Sequence, residues 1–527
     1  MPSADNPSQP NRSAFLRIVS GVLIAASILW CIYWFVHAWH YWEDDAYIHL
    51  EFARSLAAGR GFAFNGRVVA GDTAPLWVFL LAGMHAVIPN WLTAGKVLTI
   101  LGAALGITGA YAFSRQLASS LLPPSTAQIF PAAMVLLIVA NPYSCYWIFS
   151  GMEPFAAAGL AFFAVIAATR DRPSTASFLT ACLLAGIAPL LRPEMIFFTA
   201  LLVLPLLAQV YKLPAKPAAF IAGLLLLCGP IAAWSLYSLR AFGHLLPNTN
   251  AAKRAAPTDS VVYRLLSIYS LGYPLIVCGV LAGIIYFVLR FSAVRHSFQN
   301  AIASAFARTP EPRPHLPVAA WIFILWPSIA AVFYIADHAY VQTRYILVTA
   351  PALSIVIMAL FLRASPRTGR VLYVASLAAA LIVSAMTVRP FVRNKAINCR
   401  VTQGFAFFIR DHIPPSAPVA LYSIGQIAFV SEHPIVDTGG ITRPGVIPYL
   451  NSPPDVLRWA KSEGAQYIIA DHQPEFGATS VYSAQAPFIG WTFDTARYRT
   501  SAPTEIWKLA PTAEPPPPPL ASASDKP

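Results

Sequence analysis

Charge is what this chain has least of. Only 11% of its 527 residues are Asp, Glu, Lys or Arg, where soluble domains carry about 25%. With 57% hydrophobic residues and a mean hydropathy of +0.58, the composition excludes an ordinary soluble enzyme and indicates an integral membrane protein. Acid is scarcer than base, 23 Asp and Glu against 36 Lys and Arg, for a formal net charge of +13. That excess does not describe a nucleic-acid surface. The basic residues stand in short clusters between apolar runs, as loops facing an anionic leaflet do. Paired cysteines are lacking as well: Cys31, Cys182, Cys228 and Cys278 lie inside apolar runs, Cys145 and Cys399 lie outside them, and no spacing suits a disulfide framework or a metal site. The first apolar stretch, Ala14 to about Trp39, lacks a small-residue cleavage site and exceeds the roughly 7 to 15 residues of a signal-peptide core. It is expected to remain as the first span.

Ten more spanning runs follow, near 91–113, 127–141, 154–169, 175–191, 194–211, 217–239, 268–289, 317–336, 343–362 and 370–388, so that about eleven helices cross. One apolar segment, APLWVFLLAGMHAVI at 74–88, is short, opens on Pro75 and is interrupted by His85. If it does not cross, Arg12, Arg17, Arg115, Arg170, Arg172, Lys212, Lys216 and the basic residues of 290–313 and 363–370 share one side, which the positive-inside rule makes cytoplasmic. The segment is therefore expected to lie in the outer interface, with residues 1–13 a cytoplasmic polar tail and the C-terminal region outside. Aromatics such as Trp30, Tyr33, Trp34, Trp39 and Trp42 read as an interface belt, and His49 and His85 as facing headgroups.

From 391 to 510 the pattern changes. Short β-rich runs (PVALYSI, HPIVDTGG, QYIIAD, TEIWKL) alternate with helical PPDVLRWAKSEG, which predicts a small α/β domain after a membrane domain at 14–390. The tail at 511–527 is proline-rich and polar and is expected to be disordered.

On this topology, polar residues of five exterior loops meet at one membrane face. They are Glu43-Asp44-Asp45, Glu153, Arg192 with Glu194, the loop holding His244, Asn248, Lys253 and Arg254, and Asp337, His338 and Arg344. Charge beside spans is costly and marks function by default, with ion pairing and anchoring as the alternatives.

The motifs DDAYIHLEFARSLAAGRGFAFN, AGDTAPLW, SGMEP, LRPEM, FGHLLPNTNAAK, TRYILVTAP, SIGQIAFV and IVDTGGITRP, in this order, resemble the GT-C membrane glycosyltransferases that take a sugar from a polyprenyl-phosphate carrier. They look most similar to the branch of the mycobacterial terminal arabinofuranosyltransferases. AGDTAPLW departs from the Tyr-Thr-Asn-Pro type of segment found there, with Ala74 in place of Asn. The resemblance implies a polytopic all-α bundle with interfacial helices in the first exterior loop, inverting single displacement, and residence in the bacterial inner membrane with a periplasmic C-terminal domain. It also implies a cell-envelope glycan, lipid or protein as acceptor.

Such transfer needs a base for the acceptor hydroxyl and cations for the leaving phosphate. Asp44 or Asp45 is the candidate base, the alternative being that both complement the dipole of the helix they start. Glu153 would orient the acceptor or join the two aspartates around a divalent cation, unless it is an ordinary helix-start acid. Lys253, Arg254, Arg192 and Arg344 compete for the phosphate, with snorkelling anchors as the alternative for Arg192 and Arg344. His244 is either a sugar contact or a satisfied loop histidine; Asn248 and Glu194 complete the candidates. A transporter of lipid-linked saccharides is the reading from another class, but it would show repeated halves or charged broken helices near the midplane, and the sequence shows neither.

Overall fold

Apolar runs become helices here because a membrane offers no partner for free backbone groups. The computed structural model describes residues 10–214, 216–255, 260–289, 299, 316–338, 341–471, 473–475, 477–484 and 504–510. The chain opens with α1 (Pro10–Ala38), α2 (Asp44–Ala57), a hairpin of β1 (Ala63–Phe64) and β2 (Arg67–Val68), and α3 (Pro75–Val87). The bundle continues through α4 (Trp91–Leu121), α5 (Pro124–Ala140), α6 (Pro142–Trp147), α7 (Pro154–Ala168), α8 (Thr175–Leu191), α9 (Met195–Lys212) and α10 (Lys216–Phe242). Next come α11 (Asn248–Ala255), α12 (Val261–Gly272), α13 (Pro274–Leu289), α14 (Val318–Asp337), α15 (Thr343–Ala364) and α16 (Pro366–Val383). Seven of the described helices are long and apolar enough to cross a membrane, eight with the bent pair α12 and α13. The shorter apolar helices α5, α7 and α8 coincide with the remaining expected spans. This is a multi-pass membrane protein.

Small residues let these helices approach closely. On α4, Gly102, Gly106 and Gly109 repeat at helical spacing and face α7, where a Cβ on Gly106 would come within 2.6 Å of the Phe155 carbonyl oxygen. Beside them, α15 is buried along almost its whole length. Its N-terminal end, with Arg344, therefore lies inside the bundle, a place where charge needs partners.

Two expectations change. The run at 268–289 is not one helix: the chain breaks at Tyr273 and bends by 114°, because Pro274 has no N–H to continue α12. Trp34 and Trp42 belong to the core rather than to an interface belt, and Lys96 stacks its ammonium over Trp42 at 4.4 Å.

The last span runs on past its expected end. α16 passes through a π-helical turn (Ser384–Val388) into α17 (Arg389–His412), a continuous 47-residue helix of about 70 Å. This outlasts a hydrocarbon core of about 30 Å, so its end stands clear of the membrane and carries the C-terminal unit. There β3 (Val419–Leu421), α18 (Gly425–Ser431), β4 (Ile435–Asp437), α19 (Pro453–Ser462), β5 (Tyr467–Ala470), β6 (Thr479–Ala484) and β7 (Thr504–Lys508) form an α/β unit. Its sheet has the order β4-β3-β5-β7-β6, with β3 parallel to both neighbours and β7 antiparallel to both of its own. The tail at 511–527 lies outside the described residues.

This unit is fastened to α2. Both carboxylate oxygens of Asp44 accept backbone N–H groups at the start of α18, from Gly425 at 3.0 Å and Gln426 at 2.9 Å. Arg54 donates to the Phe429 carbonyl at 3.0 Å, while Asn65, at the left-handed tip of the β1–β2 hairpin, donates to His433 and accepts from Ile435. Any Cβ on Gly425 would overlap the Asp44 carbonyl oxygen. Gly425→Ala is therefore expected to force α18 off α2 at a cost of about 1–3 kcal/mol. Faster limited proteolysis between 413 and 424 checks it, and unchanged protection would contradict it.

Candidate functional site

One polar cluster stands where α2, the loop before α3, the turns before α7 and α9, α11 and the start of α15 meet. Asp45 follows Asp44 on α2, but a helix turns about 100° per residue, so its carboxylate points away from α18. It pairs with Arg344 and keeps 37% of its side chain exposed. One turn later, His49 donates from Nδ1 to Asp72 at 2.5 Å and sets Nε2 3.4 Å from a Glu153 carboxylate oxygen. Glu153, 2% exposed, receives Arg192 at 2.6 Å, and Arg192 reaches Glu194 at 2.5 Å. The chain thus converts isolated buried charges into a continuous network.

Tyr345 is its hub. Lys253 on α11 donates to the Tyr345 hydroxyl, and the Arg192 and Arg344 guanidinium carbons lie 4.9 and 5.6 Å from the ring centroid. Arg192 is held by two carboxylates and Arg344 by one. Among the described residues, no carboxylate pairs with Lys253, which leaves it the cation most available to an anion.

The loops that aim these groups are themselves pinned. Lys96 donates to the carbonyls of Tyr41 and Phe149, both at 2.5 Å, so the segments before Asp45 and before Glu153 share one anchor. Asn248 donates its backbone N–H to Ala70 at 2.9 Å and its amide to Ile441 at 3.2 Å, which ties the Lys253 helix to the Asp72 loop and the C-terminal unit. Trp147 donates to Thr343 at 2.8 Å, directly before Arg344.

Environment sets the proton states. Burial alone would lower His49, but the Asp72 and Glu153 carboxylates reverse this and raise it to about 10, so it stands as imidazolium. Burial pushes Glu153 up, yet His49 and Arg192 outweigh it and hold Glu153 at about 2. Asp45 is likewise held below the ordinary range, mainly by Arg344 acting against burial. Asp44 goes the other way, to about 6, because burial outweighs its two N–H donors; the neighbouring Asp45 adds only a smaller push.

The His49 shift has a sign. An imidazolium raised from about 6.5 to about 10 contributes stability that is complete below pH 6.5 and is lost as pH climbs to 10. The gap in thermal midpoint between wild type and His49→Gln should therefore narrow across that window. A gap that stays constant from pH 6.5 to 10 would contradict the buried ion pair.

Of the residues singled out from sequence, Asp45, Glu153, Arg192, Glu194, Lys253 and Arg344 come together. Others stand elsewhere. Asp44 faces α18, Arg254 pairs with Asp337 and keeps its guanidinium largely exposed, and His244 donates to the Leu246 carbonyl at 2.8 Å on an exposed loop. Asn248 serves as the loop clamp described above. Glu43 takes the position before α2 without capping it, accepting from Tyr41 at 2.6 Å and lying 3.5 Å from Lys395. The expected cation ligands Asp44, Asp45 and Glu153 do not converge, each being committed to a different partner. Among the described residues, no three His, Cys, Asp or Glu side chains are grouped to hold a metal ion.

His49 was expected to face headgroups and is instead buried at the centre of the cluster. The available signal was its spacing: four residues after Asp45, it shares that residue's helical face. Asp72 and Tyr345 were missed as well, although each sits inside a recognised motif, AGDTAPLW and TRYILVTAP.

A protein-family profile described as "Domain of unknown function (DUF8728)" matches residues 393–510, the end of α17 and the C-terminal unit. No curated protein matches the chain in sequence. Among solved structures, ArnT from Cupriavidus metallidurans bound to undecaprenyl phosphate overlays with a TM-score of 0.50 at 14% identity, covering 94% of this chain and 98% of that one. ArnT of the same organism in the apo state overlays with a TM-score of 0.49 at 14% identity, covering 93% and 97%. The chain thus shares, along nearly its whole length, the fold of ArnT.

Proposed function

We propose that this chain is a membrane glycosyltransferase that moves a sugar from a polyprenyl-phosphate donor to an acceptor hydroxyl. The observation that carries the reading is the grouping of Lys253, Arg344 and Arg192 around Tyr345, beside the partly exposed carboxylate of Asp45. A fold shared with ArnT bound to undecaprenyl phosphate supports the lipid-phosphate donor. In this reading Asp45 takes the proton from the acceptor hydroxyl as its oxygen bonds to the anomeric carbon. The bond from that carbon to phosphate breaks, and its electron pair stays on the phosphate oxygen. Lys253 and Arg344 stabilise that charge, and Arg344, touching both sides, aligns base and leaving group. A single displacement inverts the anomeric configuration. Arg192, Glu153, His49 and Asp72 hold the cluster in place; Asp44 anchors the C-terminal unit. The resemblance of the ordered motifs to terminal arabinofuranosyltransferases supports a cell-envelope glycan, lipid or protein acceptor.

The basic loops support an orientation with the N-terminus cytoplasmic and the site on the periplasmic face of a bacterial inner membrane. The α3 helix, at 13 residues about 20 Å long, is too short to span and would lie along that face. Proteoliposomes given synthetic polyprenyl-phosphate sugars test the function. Glycosidic product of inverted configuration with released polyprenyl phosphate is expected; intact lipid-linked sugar crossing the bilayer without a new glycosidic bond would identify a transporter. Labelling of an Asn90→Cys variant only from the cytoplasm would overturn the orientation.

A further inference from the structure

Away from the cluster, the end of α1 and the start of α17 enclose an open cleft of about 630 Å³, lined by His37, His40, Arg389, Arg393, Asn394 and Arg400. The three arginines recur along α17 at intervals of four and seven residues, so they form one stripe. All three are exposed, and among the described residues no carboxylate pairs with them. Lys395 turns elsewhere, towards Glu43. On the orientation proposed above this is the exterior edge, where the positive-inside bias disfavours arginine. A basic stripe without acidic partners at this level calls for a negative ligand.

The surface below the stripe says what kind. On the helix leading into Arg389, Met386 is 72% and Ile382 57% exposed; on α1, Val36, just before His37, is 66% exposed. Both walls of the cleft thus pass from lipid-facing apolar side chains to basic ones over about two turns. That profile fits an amphiphile whose phosphate lies among the arginines and whose chains run down α1 and α16. A soluble anion would use the arginines alone.

We infer that this cleft binds the phosphodiester headgroup of an anionic membrane phospholipid, at a site separate from the Tyr345 cluster. The full-length protein, reconstituted in nanodiscs of mixed phosphatidylcholine and phosphatidylglycerol and transferred to mild detergent, is examined by native mass spectrometry for retained lipid. Wild type should retain phosphatidylglycerol preferentially, and R389Q/R393Q/R400Q should lose that preference by about 10- to 100-fold, as expected for three arginines at a lipid surface. R389K/R393K/R400K keeps the charge and should keep most of the preference. Unchanged thermal midpoints in phosphatidylcholine alone establish that both variants fold. Equal retention by wild type and the glutamine variant would overturn the site, and displacement of the lipid by inorganic phosphate at matching concentration would overturn its lipid character.

Discussion

Asp45→Asn is expected to lower the rate of sugar transfer by about 10²–10⁴-fold, the range a positioned general base contributes. The amide preserves the shape of the side chain but no longer takes the acceptor proton, and it leaves Arg344 without its carboxylate. Because Lys253 and the Tyr345 hydroxyl are untouched, the loss should fall on kcat more than on KM for the donor. Asp44→Asn is the informative comparison. Its carboxylate touches α18 and not the cluster, so its removal should loosen the C-terminal unit, costing about 1.5–3 kcal/mol of docking, while transfer stays within about tenfold of wild type. Single-turnover transfer by the two purified variants separates the roles. A greater loss in Asp44→Asn than in Asp45→Asn would reverse them.

Arg192→Met should be the most destabilising substitution in the cluster. It leaves Glu153 and Glu194 beside each other without the guanidinium that both now contact at 2.6 and 2.5 Å. Breaking a buried pair from one side costs about 3–5 kcal/mol, because Glu194 loses its cation and Glu153 keeps only the more distant His49 at 3.4 Å. A lowered thermal midpoint in detergent is the readout. Neutralising the partners in R192M/E153Q/E194Q should recover part of that loss, since what is costly is uncompensated charge rather than missing volume. A triple variant less stable than Arg192→Met would show that the carboxylates have other essential partners.

The parts of this molecule legible from sequence are those that local physics determines. Long apolar runs had to be helices, and the β-rich segments PVALYSI, HPIVDTGG, QYIIAD and TEIWKL became β3, β4, β5 and β7 of one small sheet, in which β3 and β4 are buried at every position. The convergence of Glu153, Arg192, Lys253 and Arg344 was legible through loop charge, which assigns loops to sides of a membrane. What was not legible depends on contacts distant in sequence. Nothing near Asp44 announces that its carboxylate meets Gly425, 381 residues away, and so adjacent aspartates looked interchangeable. His49 looked like a headgroup-facing histidine because its partner Asp72 lies 23 residues on, across a hairpin and a loop. The extension of the last span through a π-helical turn into α17 was hidden by basic residues, which end a hydropathy window without ending a helix.

The central claim is that the cations around Tyr345 receive the donor's phosphate. Cryo-EM of the full-length protein with a polyprenyl phosphate tests it most directly. The account predicts phosphate density within hydrogen-bonding distance of Lys253 and Arg344, with the Asp45 carboxylate beside it and the prenyl chain leaving towards the membrane. Phosphate held elsewhere, with the Lys253–Tyr345 and Arg344–Asp45 contacts unchanged, would contradict it.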